Sequence, residues 1–266
     1  MNLRVISALV LRYLFLYART PMRLVELIFW PIMELLIWGY LSMFIKEHAP
    51  GTIVPIAGFL LGGIILWDVI FRAQQGVAIS FLEDVWTRNL LNIFVAPVRT
   101  SEYVAATFVI GFFRILVTVT ILTLVSLILY QFNIFQMSWA LIPFFANLMI
   151  TGWALGMIST ALILRWGQAA ESLAWAVPFF IQPFTAVVYS VDNIKPEWVQ
   201  YFAWSLPSTY VFEGMRELLQ HHTFNWKLFF GACGLNVVFM AGAAAIFAGM
   251  LRTTRRKGLL TKFATQ

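Results

Sequence analysis

The chain has 266 residues, 61% hydrophobic and 17% aromatic with only 11% charged, and a mean hydropathy of +0.82. A soluble globular domain carries roughly a quarter of its residues as charges, so the composition excludes one and leaves room for about six membrane spans of ~20 residues. The formal charge of +6 reads as basic residues retained on one side of a bilayer rather than as a nucleic-acid footprint, and the lone Cys233 excludes an intrachain disulfide.

Residues 1–20 do not read as a signal peptide, because Arg12 interrupts the apolar run and no small-residue cleavage site follows. At 100° per residue Arg4, Arg12 and Arg19 fall within about 80° of one another on a helical wheel, away from Leu9 and Leu16. That pattern predicts a helix lying in the membrane interface, with its arginines toward lipid headgroups; a disordered N-terminus is the alternative. Thr20-Pro21 marks its end.

Six apolar stretches follow, at 24–45, 55–79, 104–130, 139–164, 172–191 and 226–250. Helices are the only sensible assignment, since backbone groups in lipid must be bonded within the segment. Pro31, Pro143, Pro178 and Pro183 fall inside or near these stretches, where neighbouring helices can re-satisfy the freed carbonyls. With six spans, thirteen of the eighteen Lys and Arg residues share one side with both termini, among them Lys262 in the tail, against four on the other. The expected orientation has the N- and C-termini in the cytoplasm.

Four charges lie well inside the apolar runs, away from their ends. Glu34 lies eleven residues past Arg23, roughly 16 Å deep at 1.5 Å per residue, where an acid marks a functional site by default. Arg114, at a similar depth in the third span, is its candidate partner. Asp68 and Arg72, four apart, can neutralise one another on one face of the second span. Gly58/Gly62 and Gly152/Gly156 match the G-x-x-x-G spacing that lets helices approach closely, a weak signal in so apolar a chain.

Between the second and third spans lies FLEDVWTRNLLNIFVAPVRTSEY, residues 81–103. Leu82, Trp86, Leu90 and Ile93 repeat at helical spacing, so one face of 81–94 is apolar; Asp84 and Arg88 can pair on the other, and Pro97 ends or bends the helix. Two readings fit this amphipathic segment: an interfacial connector, or a lever that docks into another protein. Further on, Trp175, Phe179, Gln182 and Phe184 form an aromatic cluster in the fifth span denser than interfacial anchoring needs. Residues 191–225 are too long for a turn and place Trp198, Phe202, Leu206 and Tyr210 at intervals of four. Glu213 with Arg216 or Glu217 forms either a polar rim or a solvated face.

Two of these stretches carry a resemblance. NLLNIFVAPVRTSEYVAA (89–106) resembles the R-x-L-L-x-x-P-V-x-x-x-E-type signature after the second span of type-2 ABC exporter permeases. LPSTYVFEGMRELL (206–219) is similar to the Leu/Asn-Pro-Leu-Thr-Tyr…Arg motif before their last span, with Ser208 standing where Leu is common. Each motif is degenerate, and the specificity lies in their order along the whole chain. The resemblance implies an all-α polytopic membrane protein, one domain over 1–266. It has an interfacial helix at 1–20, six transmembrane helices, a cytoplasmic coupling helix within 81–100 and a re-entrant helical pair at 192–222 broken near Pro207. By the same resemblance Glu83, Asp84, Trp86, Arg88, Asn89 and Leu90 contact an ATP-binding subunit. Pro207, Tyr210, Glu213 and Arg216 belong to the external mouth, and Trp175, Phe179, Gln182 and Phe184 to the translocation path.

No G-x-x-x-x-G-K-[ST] stretch occurs in the chain, so ATP and Mg belong to a separate subunit, expected in two copies on a homodimeric permease. The implied function is ATP-driven export across the plasma (inner) membrane of an amphipathic, lipid-linked, saccharide or drug-like substrate, with membrane lipids as further partners and no cofactor held by this chain. Two other classes are weighed against it. An intramembrane enzyme would gather acids, His or Cys at one depth, but His48, His221 and His222 fall outside the spans and no metal-ligand spacing exists. A channel or secondary carrier would leave the charged segment at 81–94 without a purpose.

Overall fold

The computed structural model describes residues 1–48 and 56–257; Pro55, at the start of the expected second span, and Lys262 lie outside the described residues. The described residues form α1 (Leu3–Arg19), α2 (Pro21–His48), α3 (Ile56–Trp86), α4 (Leu90–Val95), α5 (Thr100–Tyr130), α6 (Leu141–Trp166), α7 (Glu171–Ile181), α8 (Glu197–Trp204), α9 (Pro207–His221) and α10 (Trp226–Arg256). No strand occurs among them. Five stretches are long and apolar enough to cross a membrane: Pro21–His48, Gly58–Trp86, Thr100–Tyr130, Ile134–Trp166 and Trp226–Arg256.

Local chemistry sets the helix ends. The Asn2 side chain accepts from the Arg4 N–H at 3.0 Å to start α1, and Asn225 accepts from Lys227 and Leu228 at 2.9 and 3.2 Å to start α10. At the start of α5 the Glu102 carboxylate takes the Arg99 N–H at 3.0 Å and, with its other oxygen, the Asn2 N–H at 2.7 Å. One acid thus joins the beginnings of α1 and α5.

The centre of the bundle is α3, almost wholly buried among α2, α5, α6 and α7. Small residues allow this. A Cβ on Gly76 would stand 2.2 Å from the Gly111 Cα, and Cβ atoms on Gly152 and Gly156 would meet those of Ala73 and Val77 at 2.5 and 2.7 Å. The α3–α5 and α3–α6 seams therefore bring backbone against backbone. Gly62, of the other G-x-x-x-G pair, faces only the flexible ends of Met137, Met215 and Phe132.

These pairings fix helix directions. Asp84 meets Tyr103 while Gly76 meets Gly111, so α3 and α5 are antiparallel. Asn236 donates to Asn147 and Thr254 to the Leu164 carbonyl, so α6 and α10 run parallel. Residues 167–225 must therefore carry the chain back along the bundle. The stretch expected as one span at 172–191 is instead α7, eleven residues with Pro178 inside it, followed by a 3-10 turn at Gln182–Phe184 that contains Pro183. Eleven helical residues reach ~16 Å, about half of a hydrocarbon core; the two prolines remove the donors a longer helix would need.

A second difference concerns 81–94, expected as one amphipathic helix. Residues 81–86 are the last turns of α3, and a break at Thr87–Asn89 separates them from α4. The Asn89 N–H returns to the Asp84 carbonyl at 2.9 Å and the Arg88 N–H to Val85 at 3.0 Å, with Arg88 left-handed at φ 54°. This is a Schellman ending. It overrides the side-chain periodicity, which runs through the break unchanged.

Before the last long helix, α8 and α9 are separated at Ser205–Leu206, with Pro207 as the first residue of α9. The two differ in burial. Pro207, Thr209, Phe212, Met215 and Arg216 of α9 are buried against the bundle, whereas α8 exposes Trp198 and Tyr201.

Candidate functional site: the charged face of α3 and the cavity beside it

Asp68, Arg72, Gln75, Ile79, Glu83 and Trp86 recur every three or four residues, so they line one face of α3. Across from them α2 presents Arg23, Leu27, Trp30, Glu34 and Ile37. Between the two lies a cavity of about 600 Å³, closed further by Tyr17 of α1, Arg114 of α5, and Trp175 and Phe179 of α7. Phe71 packs against Phe179 and Trp175 with ring centroids 5.3 and 6.5 Å apart, giving that wall its aromatic character.

The charges on the α3 face form a connected ladder. Arg72 donates to Asp68 at 3.0 Å and to the Gln75 side chain at 2.7 Å. Arg114 donates to the Gln75 carbonyl at 3.1 Å, reaches the Glu83 carboxylate at 3.7 Å, and lies over the Tyr17 ring at 4.9 Å from its centroid. Arg23 pairs with the same Glu83 oxygen at 3.0 Å. The partner expected for Arg114 was Glu34, but its ion pair is with Glu83. Arg114 extends its long side chain toward the Glu83 end of α3, while Glu34 faces Gln182 and the Asp68–Arg72 pair.

One residue on from Glu83 the chain turns this ladder into an anchor. The Asp84 side chain is fully buried, accepting from the Tyr13 hydroxyl at 2.6 Å and the Tyr103 hydroxyl at 2.9 Å on one oxygen and from Arg12 on the other. Burial, and then the neighbouring Asp84 charge, push the Tyr13 phenol well above its ordinary 10.0, so it remains a donor. Ile6, Leu9 and Val10 complete the contact, and α1 is held against α3 and α5. Beyond the anchor the surface is open. Trp86, Thr87, Arg88, Asn92, Val95, Ala96 and Pro97 are exposed, and the Trp86 indole N–H donates to Glu171 at the start of α7 at 3.2 Å.

Comparison with known proteins places this arrangement. Residues 4–219 match the family described as ABC-2 type transporter. The chain belongs to the ABC-2 type transporter family. It is also 28% identical over 163 residues to the protein named inner membrane transport permease YadH in Escherichia coli K12, E. coli O157:H7 and Shigella flexneri. The match covers 59% of this chain and spans 60% of the length of those relatives. An ABC-2 membrane domain with five long apolar helices is a multi-pass membrane protein of a transporter family.

Within the ABC-2 frame the predicted residues separate into buried and exposed groups. Glu83, Asp84 and Leu90 are buried and cannot touch another protein in this arrangement, whereas Trp86 and Arg88 are exposed and Asn89 half-buried. Arg4 and Arg19 are exposed, but Arg12 turns inward to Asp84 instead of outward. Trp175 and Phe179 line the cavity. Phe184 does not, packing instead on Phe202 and Phe180 at 5.0 and 5.9 Å. At the opposite end Arg216 pairs with Glu213 at 2.9 Å, and the same Glu213 oxygen takes the Val191 N–H at 2.7 Å. Tyr210 packs edge-on against Trp204 at 5.0 Å and covers Gly231.

Sequence reasoning missed Tyr13, Tyr17, Arg23, Gln75 and Tyr103 as members of the site. The signal for Gln75 and Glu83 was present: they continue the Asp68–Arg72 spacing down one helix face. Tyr13 and Tyr103 carry no such signal, because their role depends on α1 folding back onto α3.

Proposed function

We propose that this chain is the membrane-spanning permease subunit of an ATP-driven exporter in the plasma (inner) membrane, acting as a homodimer with two copies of an ATP-binding subunit that holds ATP and Mg. Both termini are cytoplasmic in this reading, with α1 lying in the cytoplasmic interface. The layout is six-pass, α7 and the residues after it supplying the fifth crossing. The parallel course of α6 and α10 supports that crossing, since the chain must return between them. The external mouth is formed by α8 and α9 as a re-entrant pair, and the burial of α9 supports that placement. The name of the E. coli relative, an inner membrane transport permease, is consistent with the location.

The observation that carries this reading is the continuity of α3. One unbroken helix walls the cavity from Phe71 to Trp86 and ends at the exposed corner Trp86–Arg88, with α1 and α5 clamped to it at Asp84. A push on the corner moves the cavity wall as a rigid body. We assign the coupling surface to Trp86, Arg88, Asn89, Asn92 and the 95–97 corner, and the substrate path to the cavity wall of Trp175 and Phe179 with its charged face opposite.

The test is a photoactivatable or thiol crosslinker at Arg88→Cys, in a background lacking Cys233, in native membranes. The expected product joins the chain to a P-loop ATPase whose vanadate-sensitive activity co-purifies with it. Crosslinks to lipid alone, together with no co-purifying ATPase, would overturn the reading.

A further inference from the structure

We propose that the cavity between α2, α3, α5 and α7 binds a lipophilic organic cation, with Glu34 as its counter-ion and Trp30, Phe71, Trp175 and Phe179 as the aromatic surfaces around it. The inference rests on the transport reading of that cavity and narrows it to a chemical class.

Glu34 carries the argument. It sits midway along the 28-residue α2, at a depth where an acid is costly enough to mark a function. It is half-buried and lines the cavity. The acids of α3 are placed differently: Asp68 Oδ2 and Glu83 Oε2 are sealed inside the protein, and both residues are held in ion pairs. Glu34 has no ion pair among the described residues, and the hydrogen-bonding group that faces it is the neutral Gln182. Its carboxylate is a charge on the cavity wall without a fixed counter-ion.

The surrounding charge also favours a cation. Each arginine on the wall is already matched by an acid, Arg72 by Asp68 at 3.0 Å, and Arg23 and Arg114 by Glu83 at 3.0 and 3.7 Å. Glu26, exposed and also on the wall, lies one helical turn from Arg23 and offsets the second arginine on Glu83. Counting Asp68 behind Arg72, three arginines face the four acids Glu26, Glu34, Asp68 and Glu83. The one negative charge left over is that of Glu34, since Arg72 is drawn away by Asp68 and Gln75.

The rest of the cavity specifies an organic ligand. Trp30 and Glu34, four apart, share a face of α2, and Phe71 packs with Phe179 and Trp175 on the facing wall. Aromatic faces attract organic cations, most strongly where water is excluded. A metal ion needs several oxygen ligands at one point, and no such group of His, Cys, Asp or Glu occurs among the described residues. Trp30, Ile37 and Phe179 are also exposed, so the apolar wall continues to the surface of the bundle and gives a hydrophobic ligand a way in. An anionic amphiphile would meet Glu34 with every wall arginine already engaged.

The test measures equilibrium binding of radiolabelled tetraphenylphosphonium to the full chain in nanodiscs of zwitterionic lipid, with empty nanodiscs subtracted. Saturable binding is expected. Tetraphenylborate, nearly the same shape with the opposite charge, should show none when measured separately, and tetramethylammonium at equal concentration should not displace the probe. Glu34→Gln should weaken binding about tenfold or more, the loss of one contact to a charged group. Trp175→Leu should weaken it about threefold, the loss of one ring face. Should Glu34→Gln fail to give folded protein, Glu34→Asp, which withdraws the charge, and Trp175→Leu carry the comparison. Equal binding by the Glu34 variant and wild type, saturable binding of tetraphenylborate, displacement by tetramethylammonium, or a loss caused by Glu26→Gln but not by Glu34→Gln would overturn the site. No ATP or ATPase enters the measurement, so a failed cation site leaves the crosslink to the ATPase standing, and the reverse.

Discussion

Asp84, at the end of the central helix, accepts a 2.6 Å hydrogen bond from Tyr13 of the N-terminal helix, 71 positions away in sequence. The carboxylate is fully buried and its remaining partners are Tyr103 and Arg12. An acid expected at a docking surface is therefore an internal tie between α1, α3 and α5. Asp84→Asn keeps the shape but removes the charge that Arg12 and two phenols address. It should cost ~1–3 kcal/mol, and it should also free α1, read as faster proteolysis after Arg19. Unchanged stability with an intact α1 would refute the tie.

The same contact predicts a pH dependence. Tyr13 is protonated in the fold well above its ordinary 10.0, held so first by burial and then by Asp84. A group with a raised folded pKa contributes stability that is whole below the unfolded value. That stability is lost as pH climbs from about 10 through the folded value. Release of α1 should begin above that point, accompanied by tyrosinate absorbance. Tyr13→Phe should remove that part of the dependence and, because the hydrogen bond is intact at neutral pH, should also lower stability there by ~1–3 kcal/mol.

Gly76 and Gly111 test the close approach of α3 and α5. A Cβ on Gly76 points at the Gly111 backbone 2.2 Å away, and no flexible side chain stands there to yield. Gly76→Ala should therefore cost ~3 kcal/mol or more, the upper end of overpacking. A Cβ on Gly111 meets its nearest atom at 3.3 Å, so Gly111→Ala should be milder. On α10, Gly242 has nothing within 4 Å, and Gly242→Ala should be neutral or stabilising by up to ~1 kcal/mol. Thermal denaturation in one lipid mixture ranks the three, and a different order would refute the packing account.

How much of this was legible beforehand follows from which interactions are local. Composition and apolar length announce long helices, and the Asp68–Arg72 pair lies within one helix face, where spacing alone places it. The division of 81–94 at Arg88 was not legible, because the break is made by backbone hydrogen bonds that the side-chain pattern does not reveal. Nor was the inward turn of Arg12: on a wheel it belongs with Arg4 and Arg19, and only the folding of α1 onto Asp84 separates it from them. The short α7 was half legible. Pro178 and Pro183 were visible, but a long apolar run outweighed them in the reading.

Arg114 supplies a test by double-mutant cycle. It lies 3.7 Å from Glu83 and makes no ion pair with Glu34. Removing Arg114 and Glu83 separately and together should give a coupling of ~0.6–1.7 kcal/mol, the range for polar contacts between membrane helices. The cycle with Glu34 should be additive to within ~0.5 kcal/mol. Arg23 shares Glu83, so the Arg114–Glu83 coupling should grow when Arg23 is replaced by Gln. Strong coupling to Glu34 instead would mean that Arg114 points the other way.

Glu213 joins α9 to the segment before α8, and its role separates from that of its neighbour Glu217. One Glu213 oxygen takes the Val191 N–H at 2.7 Å and the Ser190 hydroxyl at 3.2 Å, and both oxygens meet Arg216. Glu217 only accepts from Asn225, at 2.8 Å. Glu213→Gln replaces a charged acceptor with a neutral one and leaves the half-satisfied Arg216 buried. A loss of ~1.5 kcal/mol at that contact corresponds to about a tenfold faster hydrogen exchange at the Val191 amide. Glu217→Gln should leave that amide unchanged, since the Glu217 carboxylate is held by Asn225 and the Val191 N–H by Glu213. Equal protection at Val191 in wild type and Glu213→Gln would show that the segment is held by its apolar contacts alone, among them Ala186, Ile194 and Val199.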